Sequence, residues 1–337
     1  MIPSDRDTWM EMMARELPDS PDRLTPTAQK RLSTEASAEY NARRINFLCA
    51  EHLIHTPDLD HIMLAARKAL VRNAHASYVA RTGLALSGPS TVGKSSTILE
   101  IGRQHHRKMM IGNEDRPSFQ PTAYVSFGIA RTPKMALAAF GDFLGLGFSR
   151  TATITEIGRA VASVMNDLGT SLVIVDEVHN ITGLYNRGAD GAAGTLKWLT
   201  EHVNATFILA GIDLPATALF TDEMGTQFRG RFHTLKMEPY TNRSKSERLS
   251  WARLVGTLEN HLLGSLTQHE VGTLAAKAED IFAIPLESDI LGAGPLPHSI
   301  GTLKDTLVMA AIDAIFTGKE RVTVQDLRSQ YAPQLAR

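Results

Sequence analysis

The chain has 337 residues, room for about two domains, and at 43% hydrophobic and 21% charged its composition is that of an ordinary globular protein. Thirty-five basic against thirty-six acidic residues leave a formal charge of -1, which excludes a global basic excess, so any nucleic-acid contact would come from a local patch. A lone cysteine, Cys49, excludes a disulfide framework and a multi-cysteine zinc site; with no bilayer-spanning apolar run and no signal-peptide start, the expectation is a soluble, cytoplasmic protein without a membrane partner.

Residues 1 to about 60 read as a polar N-terminal extension, with prolines at 3, 18, 21 and 26. Pro18 to Thr34 is expected to be flexible or extended, and a short helix is expected from about Glu35 to Leu53. Ile62, Ala65, Ala66, Ala69 and Leu70 repeat at helical spacing and predict a helix over His61 to Arg72.

From about residue 83 short apolar runs alternate with amphipathic segments. Leu84 to Leu86, Ala123 to Phe127, Leu172 to Val175 and Thr206 to Ala210 read as strands, the third as one buried on both faces of a parallel sheet. Ile157, Val161, Val164, Met165 and Leu168 mark a helix face, and Gly169 suits the position after its end. A further short strand is expected from His233 to Met237. The alternation predicts a three-layer α/β domain over residues 61–240 with a parallel sheet. Beyond it, Ser246 to Leu263, Gln268 to Phe282 and Ser299 to Phe316 read as helices of a small all-helical domain over 241–330, with Pro285 to Pro297 a loop.

Two motifs carry chemistry. Gly88-Pro89-Ser90-Thr91-Val92-Gly93-Lys94-Ser95 fits the phosphate-binding P-loop pattern in full, between an expected strand and an expected helix, with Ser96 directly following. Its glycines let backbone N–H groups turn around phosphate oxygens, and the helix start aims its positive end at them. Lys94 then reaches the β- and γ-phosphates of ATP, and Ser95 ligates Mg2+. Asp176-Glu177 directly follows the apolar strand. Asp176 is the expected Mg2+ carboxylate and Glu177 the general base that orients and deprotonates the attacking water. Arg229 and Arg231 admit two readings: solvated or paired with local acids such as Asp222 and Glu223, or one of them reaching a neighbouring subunit's γ-phosphate.

Together with the strand ending Ala210-Gly211-Ile212-Asp213 and the helical C-terminal third, these motifs resemble an AAA+ ATPase. Within that class the chain resembles the TniB/TnsC family of transposition regulators, relatives of IstB- and DnaC-type helicase loaders, over roughly residues 40–327. The carriers are "LALSGPSTVGKSST" (84–97), "LVIVDEVHNI" (172–181), "ILAGIDLPATALFTDEMGTQFRGRF" (208–232) and "SIGTLKDTLVMAAIDAIFTGKERVTVQDL" (299–327). The resemblance implies Arg231 as the arginine finger with Arg229 as its competitor, Asp213 at the sensor-1 position and Lys304 at sensor 2. The last two depart from the family's usual Asn or Thr and Arg. It also implies self-association into a ring or filament, double-stranded DNA and a transposase as partners, and ATP hydrolysis coupled to disassembly.

For DNA, the sequence offers Arg103 and Lys108 in a basic run ending the P-loop helix, Arg131 and Lys134 after the second strand, and Arg150. Each would touch phosphates without reading bases, or is simply solvated surface. His105, His106 and His179 read as surface and strand-end residues, and Trp198 as core packing. A helicase loader preferring single strands, a nucleotide-dependent signalling switch and an ATP-binding scaffold without DNA contact are the alternatives.

Overall fold

The structure, a computed structural model, describes residues 3–76, 80–128, 130, 132–182, 192–221, 229–284 and 298–331. In chain order its elements are α1 (Arg6–Ala14), α2 (Pro26–Lys30), α3 (Thr34–Leu48), α4 (Pro57–Ala74), β1 (Gly83–Ser87), α5 (Lys94–Met110), β2 (Thr122–Ser126), α6 (Pro133–Leu144), α7 (Ile154–Asp167) and β3 (Leu172–Asp176). They continue with α8 (Ala192–His202), β4 (Thr206–Gly211), α9 (Ala218–Thr221), β5 (Phe232–Lys236), α10 (Lys245–Leu263), α11 (Ala278–Phe282), α12 (Ile300–Phe316) and α13 (Val324–Tyr331). The chain divides into two compact units: Met1–Arg15, Pro57–Pro89 and Gly93–Met237 form one, and Glu16–Thr56, Ser90–Val92 and Glu238–Arg337 the other. The segment 1–60, set apart by sequence as one extension, is thus shared between the two.

The first unit is built on a five-stranded parallel sheet of order β2-β3-β4-β1-β5. All residues of β1, β3 and β4 are buried, which requires helices on both faces and explains why these strands are continuous apolar runs. The helix α5 packs on α4 and against β2, β3 and β4, while α6 packs on α7, α8 and β2. The expected strands and the helices α4 and α7 are present with ends shifted by a few residues. Besides the single turn α9, two helices of this unit go beyond the sequence reading. One is α6, apolar on nearly every side. The other is α1, closed by an Asp5–Thr8 capping box and holding the fully buried Trp9.

The second unit has its own core, in which Leu48 of α3, Trp251 and Leu258 of α10, Leu307 and Ala311 of α12, and Leu327 of α13 are buried together. Here Pro18 to Thr34, expected to be flexible or extended, is not so throughout. It contains α2, and Arg23 donates to the carbonyls of Thr267 and His269 at 3.2 and 2.7 Å, while Gln29 donates to Glu320 at 2.6 Å. Specific polar partners hold a segment that its composition marks as loose. The helix expected over Gln268 to Phe282 is another correction: only the 3-10 turn Ala275–Lys277 and α11 form. The buried Glu259 carboxylate takes the N–H groups of Leu274 and Ala275 at 2.8 and 3.0 Å, and Gly272 sits at φ +95°. Side-chain bonds to backbone donors compete with the helix there. Residues 285–297, expected as a loop, lie outside the described residues.

Candidate functional site

The P-loop leaves β1 and enters α5 as its spacing predicts. Gly93, at φ +96°, precedes the first helical residue, Lys94, and a side chain there would strain the backbone. Thr91 carries a positive φ of 65°. Its carbonyl accepts the N–H of Gly301 at 3.2 Å, at the start of α12. The Lys94 side chain is buried and its ammonium donates to the Pro89 carbonyl at 2.5 Å. Burial pulls its pKa down from the usual lysine value, partly offset by the negative charges of Asp176 and Glu177. Ser96 is exposed on the same helix turn.

The carboxylate of Asp176, at the end of β3, is buried and fixed at three points. Ser95 Oγ donates to Oδ2 at 2.7 Å, the Tyr124 hydroxyl donates to the same oxygen at 3.1 Å, and the Glu177 N–H donates to Oδ1 at 2.8 Å. Register explains the convergence. Ser126 pairs with Asp176 and Tyr124 with Ile174, so with a side-chain period of two Tyr124 and Asp176 share the sheet face that α5 covers. Glu177 turns out of the strand with φ +54°, an unusual conformation for a non-glycine residue. Its carboxylate accepts from the Asn180 amide at 3.3 Å. A hydroxyl and a buried carboxylate meeting beside a lysine of depressed pKa form an oxygen-donor pair suited to Mg2+. Among the described residues no cluster of three or more His, Cys, Asp or Glu is poised for a metal.

The other expected site residues are not all gathered here. Asp213 is exposed at φ +44°, before the 3-10 turn Leu214–Ala216. Lys304 donates to the His52 carbonyl at 3.3 Å within the second unit. Arg231 pairs with Glu201 of α8 at 3.0 Å, and Arg229 is exposed; Asp222 and Glu223, offered as their partners, lie outside the described residues. Arg103 is held by Glu100 through two 2.6 Å bonds, and Lys108 is exposed. Lys134, in the first turn of α6, donates to the Arg150 carbonyl at 2.9 Å; Arg131 lies outside the described residues.

Two residues beside the site escape the sequence reading. Tyr124 and Asn180 both touch the Asp176-Glu177 pair; a hydroxyl inside an apolar strand is the signal that could have found the first. The histidines are a correction: His106 is buried and accepts the Trp9 indole N–H at 3.1 Å, and His105 bonds Ser171 Oγ at 2.8 Å. His179 lies beyond the end of β3, in the 3-10 turn Val178–Thr182, where its Nδ1 accepts the Ile212 N–H at 3.3 Å. Trp198 is half-buried, stacked on His202 at 3.9 Å.

No curated protein sequence matches the chain. Among solved structures it is similar to the Aeropyrum pernix ORC2 protein in ADPNP–ADP complexes, with a TM-score of 0.61 and 16% identity, over 86% of this chain and 71% of that one. It is also similar to Aeropyrum pernix ORC1 in complex with DNA, at TM-score 0.54 and 13% identity, over 84% and 67% of the two chains. For Drosophila ORC bound to DNA the TM-score is 0.51 at 13% identity, over 97% and 72%. At such identities the likeness is one of fold: an AAA+ P-loop core followed by a helical domain. The family whose sequence model matches is described as "Bacterial TniB protein", the match covers residues 44–242, more than half of the chain, and the chain belongs to this family of AAA+ proteins.

Proposed function

We propose that this protein is an ATPase that assembles on duplex DNA as a ring or filament, directs or activates a transposase, and leaves the DNA when it hydrolyses ATP. The observation that carries the reading is the meeting of Ser95 and Asp176 at 2.7 Å beside Lys94 and Glu177, in a chain of the TniB family. Structural neighbours solved with ADPNP and ADP or with DNA are in keeping with it.

The chain's own groups divide the work. Backbone N–H groups from Gly88 to Ser95 and the start of α5 bind phosphate oxygens. Lys94 brings a positive charge to the β- and γ-phosphates, and Ser95 and Asp176 hold the metal side. Bound Mg2+ supplies charge neutralisation at the phosphates. Glu177, held by Asn180, orients the attacking water and accepts its proton. Arg231 of a neighbouring protomer neutralises charge developing on the γ-phosphate.

Glu177→Gln tests the coupling. The variant is expected to bind ATP as the wild type does, to release phosphate at least about 100-fold more slowly, and to stay on duplex DNA after the wild type has left. Rapid departure of the variant would sink the link between hydrolysis and disassembly. Preference for single-stranded DNA in the same assay would favour a helicase loader instead.

A further inference from the structure

Helix α1 is short and amphipathic only weakly, yet its Trp9 is one of the most completely buried side chains, at 0% exposure. The indole ring stacks on the Tyr124 ring, with centroids 6.3 Å apart and planes 16° from parallel. Its N–H donates to His106 Nδ1 at 3.1 Å. Room for it depends on Gly102 in the P-loop helix: a Cβ there would lie 2.7 Å from Trp9 Cη2. The carbonyl of Met13, near the end of α1, accepts from Arg107 at 3.2 Å. One tryptophan therefore bridges the P-loop helix and β2, and the β2 residue it stacks on donates to the Asp176 oxygen that also accepts from Ser95.

Tyr124 is itself wholly buried. Its hydroxyl donates to Asp176 Oδ2 at 3.1 Å. Its hydroxyl occupies one lone-pair direction of Oδ2 and restricts which remain for a metal, the role outer-shell partners play toward ligating carboxylates.

We propose that Tyr124 is a positioning residue that sets the Asp176 carboxylate for Mg2+, and that helix α1, through Trp9, holds Tyr124 in that position. The inference rests on the reading of Asp176 as the metal-side carboxylate. The N-terminal helix thereby becomes an internal regulator of the nucleotide site: docked, it aligns the carboxylate; displaced, it leaves nucleotide contacts intact but weakens the metal's hold.

The test is equilibrium binding of a fluorescent ATP analogue to the full chain, first in chelator and then across a Mg2+ titration. Tyr124→Phe removes one oxygen and Trp9→Leu removes the stacked ring. Both are expected to keep wild-type affinity in chelator and to need roughly tenfold more Mg2+ for half-maximal enhancement. Trp9→Phe retains a ring on Tyr124 and is expected to stay within about twofold of wild type, the rescue that a merely space-filling role for Trp9→Leu would not require. A second reading needs no weakened variant: Mg2+ with ATP should change the tryptophan fluorescence of the wild type, and Trp9→Phe should lose that change although Trp198 and Trp251 remain. Coincident Mg2+ curves for wild type and Tyr124→Phe would overturn the positioning role. An unaltered fluorescence response in Trp9→Phe would overturn the part given to α1. Absence of analogue binding by the wild type, with Lys94→Ala indistinguishable from it, would instead defeat the nucleotide reading itself.

Discussion

Arg44 and Glu320, 276 residues apart in the chain, form a buried ion pair through both guanidinium ends, at 2.6 and 2.9 Å. The pair ties α3 to the loop after α12 and is completed by Gln29 and the Thr267 N–H, so the carboxylate is saturated with donors. Removing one partner leaves a buried charge uncompensated, which costs about 3–5 kcal/mol. Arg44→Met is expected to lower the unfolding free energy measured by urea titration by that amount, and Arg44→Met with Glu320→Met to recover most of it. The pH dependence has a definite sign. Burial raises the Glu320 pKa, but the bonds from Arg44 and Gln29 and the Arg44 charge outweigh it, so the folded value lies below 4.5. Its contribution is therefore present above pH 4.5 and is lost as pH falls through the folded value. Glu320→Gln should flatten the acid limb of the stability curve.

Arg231 and Glu201 form a partly exposed pair, with side chains 31% and 39% accessible. Such pairs contribute about 1 kcal/mol or less, so little opposes release of Arg231 toward a neighbouring protomer. Arg231→Ala is expected to lower ATP turnover by about 10^3-fold or more while ATP affinity is kept. Because the arginine and the P-loop would come from different protomers, mixing Arg231→Ala with Lys94→Ala should restore part of the activity. Mixed samples no more active than the sum of their parts would place the arginine outside any shared site.

The site was legible where chemistry and local geometry coincide. Gly88 to Ser95 and Asp176-Glu177 each sit at the end of a strand whose residues are all buried, and parallel strands buried on both faces declare themselves as apolar runs. Tyr124 was not legible, because its tie to Asp176 depends on β2–β3 register rather than on spacing in the chain. Trp9 lies in a nine-residue helix with a single fully buried ring, too little for a periodic signal. The helix α6 was missed for the opposite reason, since with few polar residues it has no polar face to contrast. Over Gln268 to Phe282 the helical pattern was real, and Glu259 overrode it by capturing backbone donors.

Lys134 and Arg150 are adjacent, joined at 2.9 Å through the Arg150 carbonyl, which leaves the Arg150 guanidinium at the exposed surface. Arg103 is neutralised by Glu100, a neighbour one turn away. If the protein holds duplex phosphates, Lys134→Ala and Arg150→Ala should each weaken binding evenly across sequences and lower the salt slope by about one. Arg103→Ala should change neither. Titration of binding against salt with two unrelated duplexes checks this, and equal effects of all three substitutions would remove the distinction.

His105 and His106 lie on α5 beside the sheet, and both pKa values are lowered to about 4. Burial is the main cause for each, with the charges of His106 and Lys108 adding to it for His105. Both are therefore neutral in the folded protein over a range where the unfolded chain, with values near 6.5, takes up protons. A lowered base pKa makes stability greatest above pH 6.5 and drains it as pH falls toward 4. By pH 5 the loss is of the order of 2 kcal/mol for a fully buried group and less for His105, which is partly accessible. His106 also anchors Trp9, so protonation of its Nδ1 would break the bond that seats α1. Thermal melts at pH 7 and pH 5, with ring-proton titration of both histidines, check the prediction. Ring protons titrating near 6.5 would show that neither histidine is held neutral by the fold.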